Sequence, residues 1–293
     1  MVRISKNDNA GVEIAKFSLL KKIMLNIIIY ALMIFIIFIS AYPLFWVVIS
    51  SFKTNAQILN NPFSMPVSLS FSLYYELLTL NNFTLFISNS FIVASVSTGI
   101  SLIIYSMAGF VFAKFNFPLR KLLFALFVMT MMVPGMARVQ PIFTLINRLN
   151  MYDTLQGLTF VYISFGIAMS LFILRTAFAA VPYTLDEAAV LDGAGFFKRF
   201  WHVNLPLAKN GLITAGTLMF FGNWNEFYYA SLFSVTESTR TLPVTMAFLH
   251  EQFSYNFPRL FSALTIVILP GLVLYIVAQE HIRVSVVSSG IKG

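Results

Sequence analysis

The sequence predicts an all-α membrane protein with six transmembrane helices. Of the 293 residues, 58% are hydrophobic and only 10% are charged, and the mean hydropathy is +0.82. Six separate stretches are apolar over about 20 residues each. Soluble domains carry roughly a quarter of their residues as Asp, Glu, Lys and Arg, so this chain has too few charges to cover a surface exposed to water.

The six apolar stretches have the length that crosses the hydrocarbon core of a bilayer, which is roughly 30 Å thick. Inside that core a helix satisfies its backbone hydrogen bonds within its own segment. We therefore predict helical spans at about 23–49, 86–112, 122–145, 154–174, 210–233 and 260–280. The spans define a transmembrane domain over 23–281, with tails at 1–22 and 282–293.

Charged residues bound the first three spans. The first span lies between Lys22 and Lys53. Its charge-free run is longer than the roughly 7–15 apolar residues of a secretory signal, which predicts a retained helix. The second span ends before Lys114, and the third carries Pro134 and Gly135 near its middle. We expect a kink or a packing accommodation at that proline.

The last three spans are bounded in the same way. The fourth runs between Asp153 and Arg175, the fifth begins at Lys209, and the sixth ends at Glu280. The fifth span also contains Glu226. An unpaired carboxylate in hydrocarbon is costly, so this side chain should face the helix bundle, a water-filled path or the outer interface.

The distribution of Lys and Arg predicts the orientation, because cytoplasmic loops carry an excess of both. With the N-terminus inside, fourteen of the 19 basic residues fall on the inner side: Arg3, Lys6, Lys16, Lys21, Lys22, Lys114, Arg120, Lys121, Arg175, Lys198, Arg199, Lys209, Arg283 and Lys292. The other five fall outside: Lys53, Arg138, Arg148, Arg240 and Arg259. Both termini and the loop 183–206 should therefore face the cytoplasm. The outer segment 50–85 is too short for a folded domain.

Composition and motifs exclude several classes of function. The chain has no Cys, which removes disulfides, thiolate catalysis and Cys-ligated zinc. His202, His250 and His281 match no known metal-site spacing. A phosphate-binding G-x-x-x-x-G-K-[ST] stretch and a catalytic side-chain arrangement are also absent from the sequence. We predict no enzyme activity, no metal and no cofactor of its own. The net charge of +8 favours lipid headgroups over nucleic acid, because the basic residues lie mostly in short loops and the N-terminal tail.

The loop 183–206 is the one sizeable polar interruption on the predicted inner side. Its spacing of Thr184 and Glu187 fits a capping box, in which Thr184 would cap a short helix. Ala188 and Ala189 give that helix a small-residue face that another surface can approach. Gly193 tolerates a positive φ and should end the helix in a turn.

A second short helix should follow the turn and end at Leu205 and Pro206. It carries four aromatic residues, Phe196, Phe197, Phe200 and Trp201. On a loop that faces water these side chains need a partner. Two interpretations stay open from the pattern alone: an amphipathic helix at the headgroup region, or a helix that inserts into a groove of another protein.

The spacing of Glu187, Ala188, Ala189, Gly193, Leu205 and Pro206 resembles the loop of permease subunits of carbohydrate ABC importers of the maltose-permease type. The resemblance implies the type I importer permease fold, with a cytoplasmic coupling helix between the fourth and fifth spans that docks onto an ATPase subunit. The implied coupling residues are Glu187, Ala188, Ala189, Asp192, Gly193, Phe196, Phe197, Phe200, Leu205 and Pro206, with a further ATPase contact at Lys292 in the tail.

The resemblance extends over nearly the whole chain. The matching segments include Tyr42-Pro43, Ser51-Phe52-Lys53, Asn89-Ser90, Trp224-Asn225-Glu226-Phe227, Thr241-Leu242-Pro243 and the terminal Gly290-Ile291-Lys292-Gly293. Val203 stands where Ile is commoner, and Asn210 stands where many relatives carry Pro. The resemblance implies three kinds of protein partner: a second related permease subunit, two cytoplasmic ATPases that bind the ATP, and an extracytoplasmic solute-binding protein. Membrane lipid is the fourth partner, and it follows from the apolar composition.

The function implied is import of a carbohydrate, with an oligosaccharide as the expected cargo, across a bacterial or archaeal cytoplasmic membrane. Three alternatives remain: import of another solute such as a glycerol phosphate ester, an ion-coupled secondary carrier that uses Glu226, and a membrane scaffold. Asn223, Trp224, Asn225 and Glu226 are candidate residues of the translocation path. For Glu226 an outer gate and a structural hydrogen-bond clamp both stay open, and we favour the clamp because paired permease subunits need not both contact the cargo. An aromatic belt at the outer surface is the alternative for Trp224.

Overall fold

The computed structural model describes the backbone of residues 7–80, 82–252 and 255–290. Within these residues the regular secondary structure is entirely helical, which confirms the all-α prediction. A 3₁₀ turn at Thr130–Met132 and a π-helical segment at Arg199–Asn204 accompany fifteen α-helices. These are α1 Asn7–Ser50, α2 Asn55–Asn60, α3 Ser72–Leu80, α4 Phe83–Lys114, α5 Arg120–Met129, α6 Gly135–Arg148, α7 Leu155–Ile163, α8 Ile167–Ala179, α9 Tyr183–Leu191, α10 Phe196–Lys198, α11 Leu205–Leu207, α12 Lys209–Trp224, α13 Tyr228–Phe233, α14 Leu242–Gln252 and α15 Phe257–Gly290.

Two helices of the described residues are long and apolar enough to cross a membrane, Lys21–Ser50 and Phe83–Lys114. The number becomes four if each of two bent helix pairs is one span. The first pair is the predicted third span, which bends by 102° between α5 and α6. Val133 precedes a proline and is extended, at φ −78° and ψ 115°, because the proline ring disfavours the helical conformation at that position. Pro134 therefore divides this stretch into two helices.

The predicted fourth and fifth spans are also interrupted. Helices α7 and α8 form the second bent pair, at 54°, and Gly166 adopts a φ of +68° at the junction. The break frees the carbonyl of Ile163, which accepts hydrogen bonds from the Ser101 hydroxyl at 3.1 Å and from the Tyr105 hydroxyl. These donors lie on α4 and replace the lost helical bonds, as a membrane interior requires. The fifth stretch divides into α12 and α13.

The chain forms two compact units, residues 1–70 and 71–293. In the first unit the side chains of α1 from Lys21 to Phe45 are exposed, as expected for a helix that lies in lipid. The predicted outer loop contains α2, which begins with a capping box between Thr54 and Gln57. Lys53 is buried next to it and donates a hydrogen bond to the Pro62 carbonyl at 2.7 Å.

In the second unit α4 is the central helix and packs against α7, α8 and α12. Gly109 permits a close approach of α4 to α8, because a Cβ added there would lie 2.9 Å from the Leu174 Cβ on α8. The predicted outer loop also contributes α3 to this unit, and Leu77 of α3 is fully buried with Phe83 and Trp224. Neither α2 nor α3 was expected from the sequence, since their stretches are short and carry few charges.

Two of the segments that resemble the permease family meet at one end of this bundle. The Asn89 side chain donates to the carbonyls of Ser238 and Arg240, at 2.9 Å each. The Ser90 hydroxyl accepts a hydrogen bond from the backbone N–H of Leu242 at 2.7 Å. Asn89 and Ser90 thus hold the start of α14 against α4, which gives both segments a structural role.

Asp153 holds the same loop from the other side. Its carboxylate accepts hydrogen bonds from the backbone N–H groups of Val235 and Thr236, at 2.7 and 3.1 Å, and from the Thr239 hydroxyl at 2.6 Å. Burial opposes ionisation of this carboxyl, but the hydrogen bonds outweigh burial and lower its pKa. The clamp therefore contributes stability at neutral pH, and that stability is lost as the pH falls through the lowered pKa.

Candidate functional site

The predicted loop 183–206 begins with α9, and the expected capping box does not form. Pro182 occupies the position before the helix, at φ −58° and ψ 136°, and no side chain of the described residues caps it. Thr184 therefore lies inside the first turn, where its hydroxyl cannot reach the free N–H groups at the start. The prediction that Thr184 and Glu187 form a capping box is wrong because the helix starts earlier, directly after the proline.

The turn that ends α9 confirms the prediction for Gly193, whose φ is +79°. The N–H of Ala194 bonds to the Ala189 carbonyl at 2.8 Å, and the N–H of Gly193 bonds to the Val190 carbonyl at 3.0 Å. These two bonds define a Schellman motif, which closes the last carbonyls of a helix and needs a left-handed residue.

The second helix of the loop continues past its predicted end. It runs through α10, the π-helical segment and α11 as far as Leu207. Pro206 is tolerated because it lies in the first turn of α11, where a missing N–H costs little. In the preceding π segment the bonds reach five residues back, as from the N–H of Leu205 to the Phe200 carbonyl. The expectation that Leu205 and Pro206 end the helix is therefore wrong.

The four aromatic residues of this helix divide into two pairs. Phe200 is fully buried, and its ring lies 5.5 Å from that of Phe110 on α4. Phe196 is half-buried against the same ring, also at 5.5 Å. Phe197 and Trp201 remain exposed, at 63% and 45%. The inward pair anchors the loop to the helix bundle, so Phe200 is not a surface contact residue, and only the outward pair is free to meet lipid or another protein.

Asp186 forms the polar centre of the loop. Its side chain is 3% exposed, and its Oδ2 lies 3.2 Å from the Nζ of Lys114 at the end of α4. Its Oδ1 lies 3.2 Å from Nη2 of Arg199 and accepts a hydrogen bond from Asn204 Nδ2 at 2.8 Å. Two cations and one amide therefore surround a single buried carboxylate. Removing one partner of a buried ion pair typically costs about 3–5 kcal/mol.

Further contacts join the start of α9 to the end of α4. The Tyr183 hydroxyl donates to the Ala113 carbonyl at 2.8 Å. The Nζ of Lys114 donates to the Val181 carbonyl and lies 4.4 Å from the centre of the Tyr183 ring. The start of the loop is thus fixed to the end of α4 by side chains from both helices.

The sequence analysis assigned no role to Asp186, whereas its neighbour Glu187 was a predicted coupling residue. In the structure the two adjacent side chains differ in exposure, because Asp186 is buried and Glu187 is exposed. Lys114, Arg199 and Asn204 were missed as its partners. The sequence did contain a signal for these partners. Lys114 ends the second predicted span and Arg199 follows the turn at Gly193, so both cations lie next to the short helix that carries the acidic residue.

The remaining predicted coupling residues divide by exposure. Most are exposed, and Ala189, Phe196 and Leu205 are half-buried; the exposed set is Glu187, Ala188, Asp192, Gly193, Phe197 and Pro206. Leu191 was not predicted, yet it is 88% exposed and lies one helical turn after Glu187. Leu185 and Val190 of the same helix are also exposed, at 43% and 51%, and several exposed apolar side chains on one structured loop indicate a contact surface. Lys292 lies outside the described residues.

The second predicted group, in the fifth span, is mostly built into the bundle. Asn223 is buried and donates to the hydroxyls of Ser97 and Thr98, at 3.0 and 3.2 Å. Trp224 is 3% exposed and its ring stacks on that of Phe220. Asn225 is exposed and donates to a carbonyl of its own helix. These contacts agree with the structural interpretation of the segment.

Glu226 satisfies the N-terminus of α13. Its Oε1 accepts the N–H of Tyr229 at 2.8 Å, and its Oε2 accepts the N–H of Ala230 at 2.9 Å and the Tyr162 hydroxyl at 2.8 Å. A carboxylate is favoured at the N-terminus of a helix, where backbone donors are free. Glu226 therefore restarts the helix after the break that ends α12.

Glu226→Ala is expected to lower the free energy of unfolding by about 2–3 kcal/mol, because hydrogen bonds to a charged group contribute more to stability than hydrogen bonds between neutral groups. Asn225→Ala is the matched control and should stay within about 0.5 kcal/mol, because that side chain is exposed. Thermal unfolding of the two purified variants measures the difference. Equal stability combined with lost uptake only in Glu226→Ala would instead assign this carboxylate to the translocation path.

Comparison with known proteins identifies the family. Residues 105–286 match the family described as binding-protein-dependent transport system inner membrane component. The chain belongs to this family. It is thus a permease component of a transport system and not an enzyme, in agreement with the resemblance of its loop.

Named relatives agree with the assignment. The permease is 30% identical to the diacetylchitobiose uptake system permease protein NgcG of Streptomyces coelicolor, over 88% of this chain and 86% of that protein. It is 28% identical to the sulfoquinovosyl glycerol transport system permease protein SmoH of Agrobacterium fabrum, over 86% and 89% of the two chains.

A solved structure shares the fold. A chain of a bacterial ABC transporter involved in the import of the acidic polysaccharide alginate matches with a TM-score of 0.73 and 21% identity. The match covers 96% of the permease and 99% of that chain. This confirms the importer permease fold at the level of an all-helical architecture.

Proposed function

We propose that this permease moves an oligosaccharide inward across the cytoplasmic membrane, driven by ATPase subunits that bind its loop. The observation that carries the proposal is α9, a short helix with an exposed contact face and a buried acidic residue connected to α4. An exposed face alone fits many loops. The ion pair of Asp186 with Lys114 connects this face to the end of α4, a long membrane helix, and Arg199 holds the same carboxylate from within the loop.

The proposed coupling surface consists of Glu187, Ala188, Leu191 and Asp192 on α9, with Phe197 beyond the turn. Closure of the ATPases on binding ATP pushes this surface, and α9 moves α4 through Asp186 and Tyr183. Access then alternates between the two sides of the membrane. The proposal includes six spans, cytoplasmic termini, a second permease subunit, two ATPases and an extracytoplasmic binding protein.

The contacts of Glu226 count against the rival of an ion-coupled carrier. Both of its carboxylate oxygens already accept hydrogen bonds from N–H and O–H donors. A coupling carboxylate must exchange its partners with a proton or a metal ion during each cycle. Glu226 is instead an acceptor that the fold of α13 requires.

The cargo is proposed from the relatives. The diacetylchitobiose uptake permease supports an oligosaccharide, and the sulfoquinovosyl glycerol permease keeps a glycoside of glycerol among the alternatives. The cognate binding protein decides between them: calorimetry with disaccharides, trisaccharides and glycerol phosphate esters identifies its ligand. Binding of a glycerol phosphate ester alone would overturn the carbohydrate proposal.

Glu187→Lys tests the coupling surface. We expect at least tenfold less ATPase to co-purify with the variant, corresponding to about 1.4 kcal/mol, because the charge reversal lies on the exposed face and disturbs no buried contact. The amount of ATPase per permease on an affinity column measures this effect.

The matched control is Glu237→Lys, the same change at an exposed position in the loop before α14, on the predicted outer side. It should retain the ATPase. If Glu187→Lys also retains the ATPase and the uptake rate, the coupling surface is wrongly placed.

A further inference from the structure

A partly open cavity of about 710 Å³ lies among the end of α4, the start of α5 and the middle of α8. Three of its lining residues are cations, Arg120, Lys121 and Arg175. The cavity is separate from the proposed coupling surface and has no role in the function proposed above. Its cations belong to the group that the charge distribution places at the inner membrane surface.

The positive charge of this cavity is not neutralised. The ion pairs in the described part of the chain do not include Arg120, Lys121 or Arg175, so these three residues have no acidic partner there. A set of unpaired cations around a concave space favours an anionic ligand.

Two of the cations are held in place by uncharged groups. The Arg120 guanidinium donates to the Asn116 side chain at 2.6 Å and to the Phe112 carbonyl. The guanidinium of Arg175 lies over the Phe124 ring, 4.3 Å from its centre. Neither contact removes charge. Both side chains are thus ordered before a ligand arrives, which reduces the entropy lost on binding.

The N-terminus of α5 adds to the positive potential. Leu119 precedes this helix with a φ of +61°, and no side chain of the described residues caps its first N–H groups. These groups carry the positive end of the helix dipole, which favours anions and in particular phosphate.

The rim of the cavity is apolar. Leu119 and Leu122 are 66% and 53% exposed beside the cations. A free phosphate ion gains nothing from such a rim, whereas a phospholipid places its headgroup among the cations and its acyl chains along the leucines. Basic pockets between helices on the cytoplasmic side suit anionic headgroups.

We propose that this cavity binds the phosphate headgroup of an anionic phospholipid from the inner leaflet. Arg120 and Arg175 hold the phosphate together with the N-terminus of α5, and Lys121 adds charge from the exposed side. A bound headgroup would join α5 to α8, the helix that leads into α9.

The test uses the intact importer complex in nanodiscs of phosphatidylcholine, with and without phosphatidylglycerol. After transfer to detergent, native mass spectrometry counts the phosphatidylglycerol molecules retained. We expect Lys121→Gln with Arg175→Gln to lower retention about tenfold, since each cation near the surface contributes severalfold to binding. Arg120 is left unchanged because its hydrogen bonds are structural.

The matched control is Lys209→Gln, which removes an exposed cation at the start of α12, on the same predicted side but outside the cavity. Equal loss in the control, or full retention in the double variant, overturns the proposal. Displacement of the lipid by millimolar inorganic phosphate would assign the cavity to free phosphate and also overturn it. If the double variant unfolds in phosphatidylcholine alone, Lys121→Gln by itself decides the question through a severalfold loss, because this side chain is exposed.

Discussion

Asp186→Ala is expected to destabilise the permease by about 3–5 kcal/mol and to separate ATP hydrolysis from transport. The change leaves Lys114, whose side chain is fully buried, without its counter-ion. It also removes one of the two acceptors of the buried Asn204 amide, which then retains only the Arg199 carbonyl. An uncompensated buried charge accounts for most of the cost. Thermal unfolding of the purified complex measures the stability, and reconstituted vesicles measure solute imported per ATP hydrolysed.

Two variants separate this effect from a general disturbance of the loop. Asp192→Ala removes an exposed acidic residue at the end of the same helix and should change stability by no more than about 0.5 kcal/mol. Asp186→Asn keeps a hydrogen-bond acceptor but no charge, so its stability should lie between Asp186→Ala and the unmodified chain. A stable, fully coupled Asp186→Ala variant would show that the connection between α9 and α4 does not depend on this carboxylate.

Gly211→Ala is expected to cost about 1–3 kcal/mol through overpacking. A Cβ added at Gly211 on α12 would lie 2.3 Å from the Cβ of Ala177 on α8. Both atoms are fixed to backbone, so the two helices must move apart. Because α8 and α12 enter and leave the loop 183–206, we also expect weaker association with the ATPase. Unfolding temperature and ATPase co-purification measure the two effects.

The chain offers a control and a rescue for this prediction. No described atom lies within 4 Å of a Cβ added at Gly222 on the same helix, so Gly222→Ala should be neutral or slightly stabilising, as alanine favours helix over glycine. Ala177→Gly added to Gly211→Ala removes the clashing atom and should restore most of the stability. If the rescue fails while Gly222→Ala is neutral, helix contact at Gly211 is not the cause.

Local features of the sequence predicted part of the candidate site. Gly193 was identified as the helix end because a left-handed residue is needed there and glycine supplies it without strain. Helix periodicity requires the adjacent side chains of Asp186 and Glu187 to point to different faces, but it does not determine which of the two is buried. The end of the second loop helix was misjudged, because a proline is tolerated after a π-helical turn and that turn has no clear local signature.

By itself, the sequence determined that the chain is all-helical with the apolar composition of a membrane protein, and that a helix ends in a turn at Gly193. Composition and short-range spacing are sufficient for such properties. Only the tertiary structure decided that Asp186 meets Lys114 and Arg199, that Phe200 points inward, and that Glu226 caps α13. The physical reason is the same in each case. Each of these contacts either joins side chains from separate helices or depends on a break in a helix. The packing of the helices around α4 determines which side chains meet.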